Sequence, residues 1–202
     1  MNPLGVTYSE GRADPLPWPT HLGPQAQCDV ELGCADAQFS RALGRAHPDR
    51  VVVGLEIRAR VAAWAQRDAD AEGLANVRIA YCNINVDLDR VLGVDSVDRF
   101  HLLFPDPWFK TKHHKRRVIE PALLAVIRSR LRRGGELHFA SDVYEIALEA
   151  MAEVDGDPTC GFVNVAGPWR FTRDNPYGVR SKREDTTTRR GMRTWRLRWR
   201  AQ

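Results

Sequence analysis

The sequence predicts an α/β fold with a mostly parallel, seven-stranded sheet that ends in an antiparallel C-terminal strand pair. Three observations predict it. Up to Val154, short apolar runs alternate with stretches of helical period, the pattern of strands buried on both faces between covering helices. After that come two strand-like runs, 161–166 and 193–200, with no clear helix between them. Acidic or amide side chains also stand at the carboxyl ends of four strands: Glu31, Glu56, Asn83 and Asp106. That is where open parallel sheets bind their ligands.

The elements follow in order. Residues 1–26 are rich in Pro and Gly without a period and form a lead-in, leaving one domain over 27–202; a chain of 202 residues supports one core and is short for two. Cys28 to Leu32 is the first strand, 33–37 its loop, and Gln38 to Ala46 a helix. Val51 to Glu56 is an apolar run ending in an acid, followed by helical period from Arg58 to Glu72. Val77 to Tyr81 and Arg99 to Phe104 are the third and fourth strands. Val118 to Leu131 is a helix with Ile119, Leu123, Ile127 and Leu131 on one face, and Gly134-Gly135 ends it. Glu136 to Ser141 is the fifth strand and Tyr144 to Val154 a helix. The polar stretch 170–190, broken at Asn175-Pro176 and Tyr177-Gly178, reads as a long functional loop. In the last strand Arg196, Arg198 and Arg200 alternate with Trp195, Leu197 and Trp199, so the arginines are expected on a solvent face more than on RNA.

Composition narrows the partners. A hydrophobic fraction of 43% with 28% charged residues fits a globular domain in water. No apolar run approaches the ~20 residues of a membrane span, and the N-terminus has no apolar signal core, so no membrane association and a cytoplasmic location are expected. Cys28, Cys34, Cys82 and Cys160 lack CxxC spacing, which argues against zinc and against a redox pair. The net charge is only +4, yet from Arg170 to Arg200 eleven Lys/Arg face three Asp/Glu. Such segregation favours a phosphate-bearing partner, with nucleic acid first.

The densest chemistry lies in Phe104-Pro105-Asp106-Pro107-Trp108-Phe109 and the run after it, which holds five Lys/Arg and two His in the eight residues 110–117. Two prolines remove backbone donors on either side of Asp106 and hold one carboxylate at a strand end. A strand-end Asp alone commonly caps a turn, and a basic run alone is commonly solvated surface; fused, they point to a small chemical site beside a polyanion. Lys110, Lys112, Lys115, Arg116 and Arg117 are candidate phosphate contacts on a structured RNA. His113 and His114 read as hydrogen-bonding loop residues, with no ligand at zinc spacing.

Glu56 lies 23 residues after Gly33, close to the distance at which a βαβ unit brings a carboxylate to a ribose diol; an acid near a helix start is the other reading. Glu31-Leu32-Gly33-Cys34-Ala35-Asp36-Ala37 is not GxGxxG. A pyrophosphate-bearing dinucleotide is therefore poorly supported, whereas S-adenosylmethionine, which carries adenosine without phosphates, fits.

From Pro15 to Arg200 the chain resembles the tRNA (guanine-N7-)-methyltransferase family. The resemblance rests on Pro105-Asp106-Pro107-Trp108-Phe109-Lys110 with His113 to Arg117, on Gly134-Gly135-Glu136-Leu137-His138-Phe139-Ala140-Ser141-Asp142, and on Ser181-Lys182-Arg183-Glu184 with Thr194-Trp195-Arg196-Leu197. It implies a Rossmann-like class I methyltransferase fold that carries a methyl group from S-adenosylmethionine to N7 of a variable-loop guanosine in tRNA. It also implies that Glu31, Gly33, Glu56, Asn83 and Asp106 contact the cofactor and that Asp106 is the catalytic position. Lys110, Asp142, Ser181, Lys182, Arg183 and Glu184 would bind the tRNA, in a monomer or homodimer. This sequence departs from the family pattern at three places: Ala35 and Ala37 replace glycines, Asn83 replaces an aspartate, and Arg183 replaces an aromatic residue. A Cβ at a left-handed position costs about 1–2 kcal/mol. Glu184 would pair with Arg183 or Arg180, or meet the guanine edge. Two other readings stay open: an RNA-binding homologue with a decayed cofactor pocket, and a methyltransferase acting on a base amino group.

Overall fold

A computed structural model describes residues 16, 22–23, 25–105 and 119–202. Its elements are β1 (Cys28–Leu32), α1 (Gln38–Ala46), β2 (Val51–Glu56), α2 (Ala59–Ala71), β3 (Val77–Tyr81), α3 (Ile84–Val91), β4 (Val97–Leu103), α4 (Pro121–Arg130), β5 (Leu131–Ser141), α5 (Tyr144–Asp155), β6 (Phe162–Asn164), α6 (Lys182–Arg189) and β7 (Trp195–Ala201). The strands form one sheet in the order β3-β2-β1-β4-β5-β7-β6. Strands β1 to β5 pair parallel, while β7 runs antiparallel to both β5 and β6. The order reverses between β1 and β4, which puts the ligand crevice beyond their carboxyl ends.

The two faces of the sheet differ. Val30, Phe100, Leu102, Leu137, Phe139, Leu197 and Trp199 join Leu88, Ile127, Ile146 and Met151 of α3, α4 and α5 in one apolar cluster. On the other face the register sets Asp29 beside Arg99, Arg99 beside Glu136 and Glu136 beside Arg200, with Glu31, His101, His138 and Arg198 in the next row. This polar face is nevertheless covered. Phe39 of α1 packs on His101 with ring centroids 4.9 Å apart, and Tyr177, itself buried, lies over His101 and His138 at 4.8 and 4.7 Å.

Buried charge is tolerable only when paired. Asp29 accepts from Arg50 Nε at 2.6 Å and lies 2.9 Å from His101 Nε2. Burial works against ionisation there, but His101 and the Arg50 and Arg99 cations outweigh it and hold Asp29 below the usual carboxylate range. Glu136 is bound by Arg198 at 2.8 Å and Arg200 at 3.0 Å. His138 is held well below the ordinary imidazole value, first by burial and then by the nearby His101, Arg196 and Arg198, which keeps it neutral.

Several expectations are corrected. Helix α4 ends at Arg130, and Gly134-Gly135 lie inside β5, where the register slips between Val97 and Arg99 of the partner strand. A Cβ on Gly135 would lie 2.9 Å from the Arg132 carbonyl, so the bulge requires a glycine there. The stretch 170–190 is not loop throughout: Lys182–Arg189 is helix α6, with the Ser181 hydroxyl accepting from the Glu184 N–H at 3.2 Å. Ser-Lys-Arg-Glu is half of a capping box, a helix signal inside a run of otherwise poor helix chemistry. The arginines of β7 do not face solvent uniformly. Arg196 and Arg198 are 14% and 20% exposed and are neutralised by Glu184 and Glu136 across the covered face. Helix α3, unanticipated, is eight residues long and is capped by Asn83, whose side chain accepts from Asn85 N–H at 3.3 Å.

Candidate active site at the carboxyl ends of the strands

The loop after β1 turns sharply. Gly33, Ala35 and Ala37 have φ of 76°, 48° and 54°, so both alanines occupy left-handed conformations that glycine adopts without strain. Gly33 and Cys34 donate to the Leu55 carbonyl at 2.8 and 2.9 Å, which pins the loop onto the end of β2. Gly54 permits this crossing, because a Cβ there would sit 2.6 Å from Ile79 Cδ1 and 2.9 Å from Cys34 Sγ. Ala35 is exposed. Ala35→Gly is therefore expected to stabilise the fold by about 0.5–1 kcal/mol, the strain relieved less the added freedom of the unfolded chain. Urea unfolding with an unchanged m-value checks it.

Glu31 is buried beneath this loop and accepts from Ser40 N–H at 3.1 Å and Ser40 Oγ at 2.5 Å, in the first turn of α1. Burial, only partly offset by these donors, pushes its pKa up to about 8. The folded state then holds a proton that the unfolded chain releases near pH 4.5. The associated stability is present below that value and disappears as the pH rises towards about 8. Glu31→Gln should flatten this dependence. Its Tm should fall less than that of the wild type between pH 5 and pH 8, as thermal melts in the two buffers will show.

Glu56 ends β2. Its carboxylate accepts from Ala35 N–H at 3.0 Å and Arg58 N–H at 2.9 Å, and Arg58 Nε and an Arg58 terminal nitrogen lie at 2.8 and 3.1 Å. Arg58, a contact the sequence analysis did not single out, is half exposed at 51% while Glu56 is buried. Cys82 N–H donates to the Glu56 carbonyl at 3.0 Å, which sets Asn83 beside it. The space beside Gly33 is open: a Cβ there would meet nothing within 4 Å. The exposed Gly33, next to the Glu56 carboxylate, is the part of this strand end that could hold an adenosine, whereas the Asn83 side chain caps α3 and Arg58 occupies Glu56. Glu31, by contrast, is directed into the start of α1.

At the end of β4, Phe104 takes φ 49° and donates to the Ala140 carbonyl at 2.7 Å before the chain enters Pro105. A bulky residue held left-handed at a strand's carboxyl end is backbone strain of the kind that accompanies sites. Asp106, Lys110, Lys112, Lys115, Arg116 and Arg117 lie outside the described residues. The start of α6 is tied across this end of the sheet. Arg183 reaches Asp142, after β5, at 2.6 Å, and Lys182 reaches Asp36, in the β1–α1 loop, at 3.3 Å. Glu184 pairs with neither Arg183 nor Arg180. It is 1% exposed and bound to Arg196 at 2.5 Å, with Asn175 at 3.3 Å. Among the described residues no three His, Cys, Asp or Glu cluster so as to hold a metal ion.

Comparison with known proteins decides the family. Residues 25–197 match a family model described as "Putative methyltransferase". The chain is 34% identical over 205 residues to a tRNA (guanine-N(7)-)-methyltransferase of Parasynechococcus marenigrum, covering 99% of this chain and 86% of the relative. It is also 34% identical to the enzyme of that name from Trichormus variabilis, covering 97% and 91%. The chain belongs to the tRNA (guanine-N7-)-methyltransferase family. Two solved structures share its class I methyltransferase fold. The aminoglycoside resistance methyltransferase NpmB1 has a TM-score of 0.59 at 18% identity, covering 89% of each chain. A SAM dependent methyltransferase from Aquifex aeolicus has a TM-score of 0.60 at 11% identity, covering 89% of this chain and 85% of that one. In this family member, then, Gly33, Glu56 and Asn83 stand at the carboxyl ends of β1, β2 and β3, Glu31 is turned into α1, and Lys182 and Arg183 are tied to Asp36 and Asp142 at the same end of the sheet.

Proposed function

We propose that this chain transfers the methyl group of S-adenosylmethionine to N7 of a guanosine in the variable loop of tRNA. Identity of 34% over nearly the whole chain to enzymes named tRNA (guanine-N(7)-)-methyltransferases carries the reaction, and the choice of the variable loop rests on the family resemblance. Glu56 is assigned to the ribose diol, Gly33 to the backbone beneath the cofactor and Asn83 to the adenine. Glu31 shapes the pocket through α1. When bound, S-adenosylmethionine supplies a methyl group activated by a sulfonium. Guanine N7 carries an in-plane lone pair and needs no proton removed, so the protein's work is positioning and exclusion of water rather than acid–base catalysis. Asp106, between its two prolines, orients the guanine. Lys110, Lys112, Lys115, Arg116 and Arg117 take RNA phosphates. Lys182 and Arg183, 72% and 59% exposed, exchange their contacts with Asp36 and Asp142 for RNA. One methyltransferase domain over residues 27–202, acting in the cytoplasm as a monomer or homodimer, completes the proposal.

Borohydride reduction followed by aniline scission of tRNA treated with the protein and methyl donor maps the product. Cleavage in the variable loop is expected, and cleavage elsewhere would reassign the target. A second reading, an RNA-binding homologue without a working cofactor pocket, draws on the two left-handed alanines and on Arg58 bound to Glu56. Calorimetry with S-adenosylmethionine separates the two, since the second allows no saturable heat.

A further inference from the structure

At the carboxyl end of β5, a groove of about 470 Å³ runs between residues 171–173 and the start of β7. Its size falls within the ~300–1,000 Å³ of small-ligand sites. Phe171 and Trp195 line it with ring centroids 4.9 Å apart, and Tyr144, outside the lining, packs on Trp195 at 4.6 Å. Its rim is cationic. The Arg193 guanidinium stands 4.3 Å from the Trp195 centroid, and Arg173 and Arg196 also line the groove, with no acidic residue in the lining. Arg196 is committed to Glu184. Arg173 and Arg193 are exposed, and neither forms an ion pair among the described residues.

Position gives the groove a role. Trp195 pairs in register with Ser141, the last residue of β5, and β5 neighbours β4, which leads into Pro105. The groove therefore lies two strand spacings, about 10 Å, along the sheet from the carboxyl end of β4. Aromatic faces combined with arginines are the means by which proteins hold unstacked bases of single-stranded or looped RNA.

We propose that this groove binds an unpaired nucleotide of the tRNA flanking the target guanosine, its base stacked on Trp195 and its phosphates on Arg193 and Arg173. The base takes the ring face that the Arg193 guanidinium now covers, and the released cation moves to the phosphate. This rests on the proposed function, because the groove only positions RNA for the site beside it.

The test is filter binding of unmodified tRNA by the full chain across a salt series, with S-adenosylmethionine affinity measured in parallel by calorimetry. The double variant Arg173→Gln/Arg193→Gln is expected to bind tRNA about tenfold more weakly and to lower the slope of log affinity against log salt by about 1.4, two contacts at ~0.7 each. Trp195→Leu is expected to weaken binding about tenfold with the slope unchanged, and Trp195→Phe to restore most of it, because stacking is independent of salt. Unchanged cofactor affinity in all three separates this from a folding defect. If Trp195→Leu does not fold, the two exposed arginines carry the test alone. Wild-type affinity and slope in the double variant would overturn the groove while leaving the methyltransferase reading intact. A wild-type chain that binds no tRNA would overturn both.

Discussion

Asp106→Ala is expected to slow methyl transfer to tRNA by about a hundredfold or more while leaving tRNA affinity close to that of the wild type. The size follows from the job assigned to it: where catalysis is alignment of a lone pair with a methyl group, misplacement by about 1 Å costs on the order of 10²-fold. The support for that alignment begins in the described part of the chain. Phe104 is held at φ 49° by its N–H bond to Ala140, and Pro105 follows directly, so the direction in which the chain leaves β4 is fixed. Binding should survive because affinity for folded RNA comes mainly from cations on phosphate, and those lie at 110–117 and on α6. Single-turnover rates at saturating tRNA, set beside filter binding, read the two effects separately. A variant turning over at the wild-type rate would remove Asp106 from the chemistry.

Arg50→Ala is expected to cost about 3–5 kcal/mol of stability. Arg50 and Asp29 are 6% and 1% exposed, and their contact is 2.6 Å. Truncating the arginine strands a carboxylate in the middle of the sheet, with Arg99 at 3.8 Å and His101 as its remaining partners. For a chain of this size the loss corresponds to a fall in Tm on the order of 10 °C. The double variant Asp29→Leu/Arg50→Met should lose less than Arg50→Ala alone, because no buried charge is left unpaired. Calorimetric melts of both variants check the sign of that difference. If the double variant were the worse of the two, packing rather than charge would govern the site.

The sheet was legible because β2 is an apolar run ending in an acid, while β1 and β3 are short stretches in which apolar residues alternate with Asp29, Glu31 or Arg78 between polar breaks. What escaped has a common physical cause. The alternation of charge with apolar residues in β7 is the pattern of a half-exposed strand, yet Arg196 finds Glu184 of α6 and Arg198 finds Glu136 beside Tyr177. Those partners are distant in sequence, and only the fold brings them together. Helix α6 is almost wholly polar and is fixed by Ser181 at its cap and by Glu184 buried against β7, so no hydrophobic period announced it. Gly134-Gly135 looked like a helix stop and is a bulge, because either role calls for a residue without a Cβ. At the site, the spacing of Glu56 from Gly33 pointed to a shared place, and the structure sets the Glu56 carboxylate on the loop that Gly33 begins. Arg58, the residue that engages Glu56, was not identifiable, since an arginine two positions after a strand gives no signal of where its guanidinium turns.

The most direct measurement is mass spectrometry of nucleosides from unmodified tRNA incubated with the purified chain and an isotopically labelled methyl donor. The account predicts labelled 7-methylguanosine and no other labelled nucleoside. Label on an exocyclic amino group, or no label although the donor binds saturably, would contradict it.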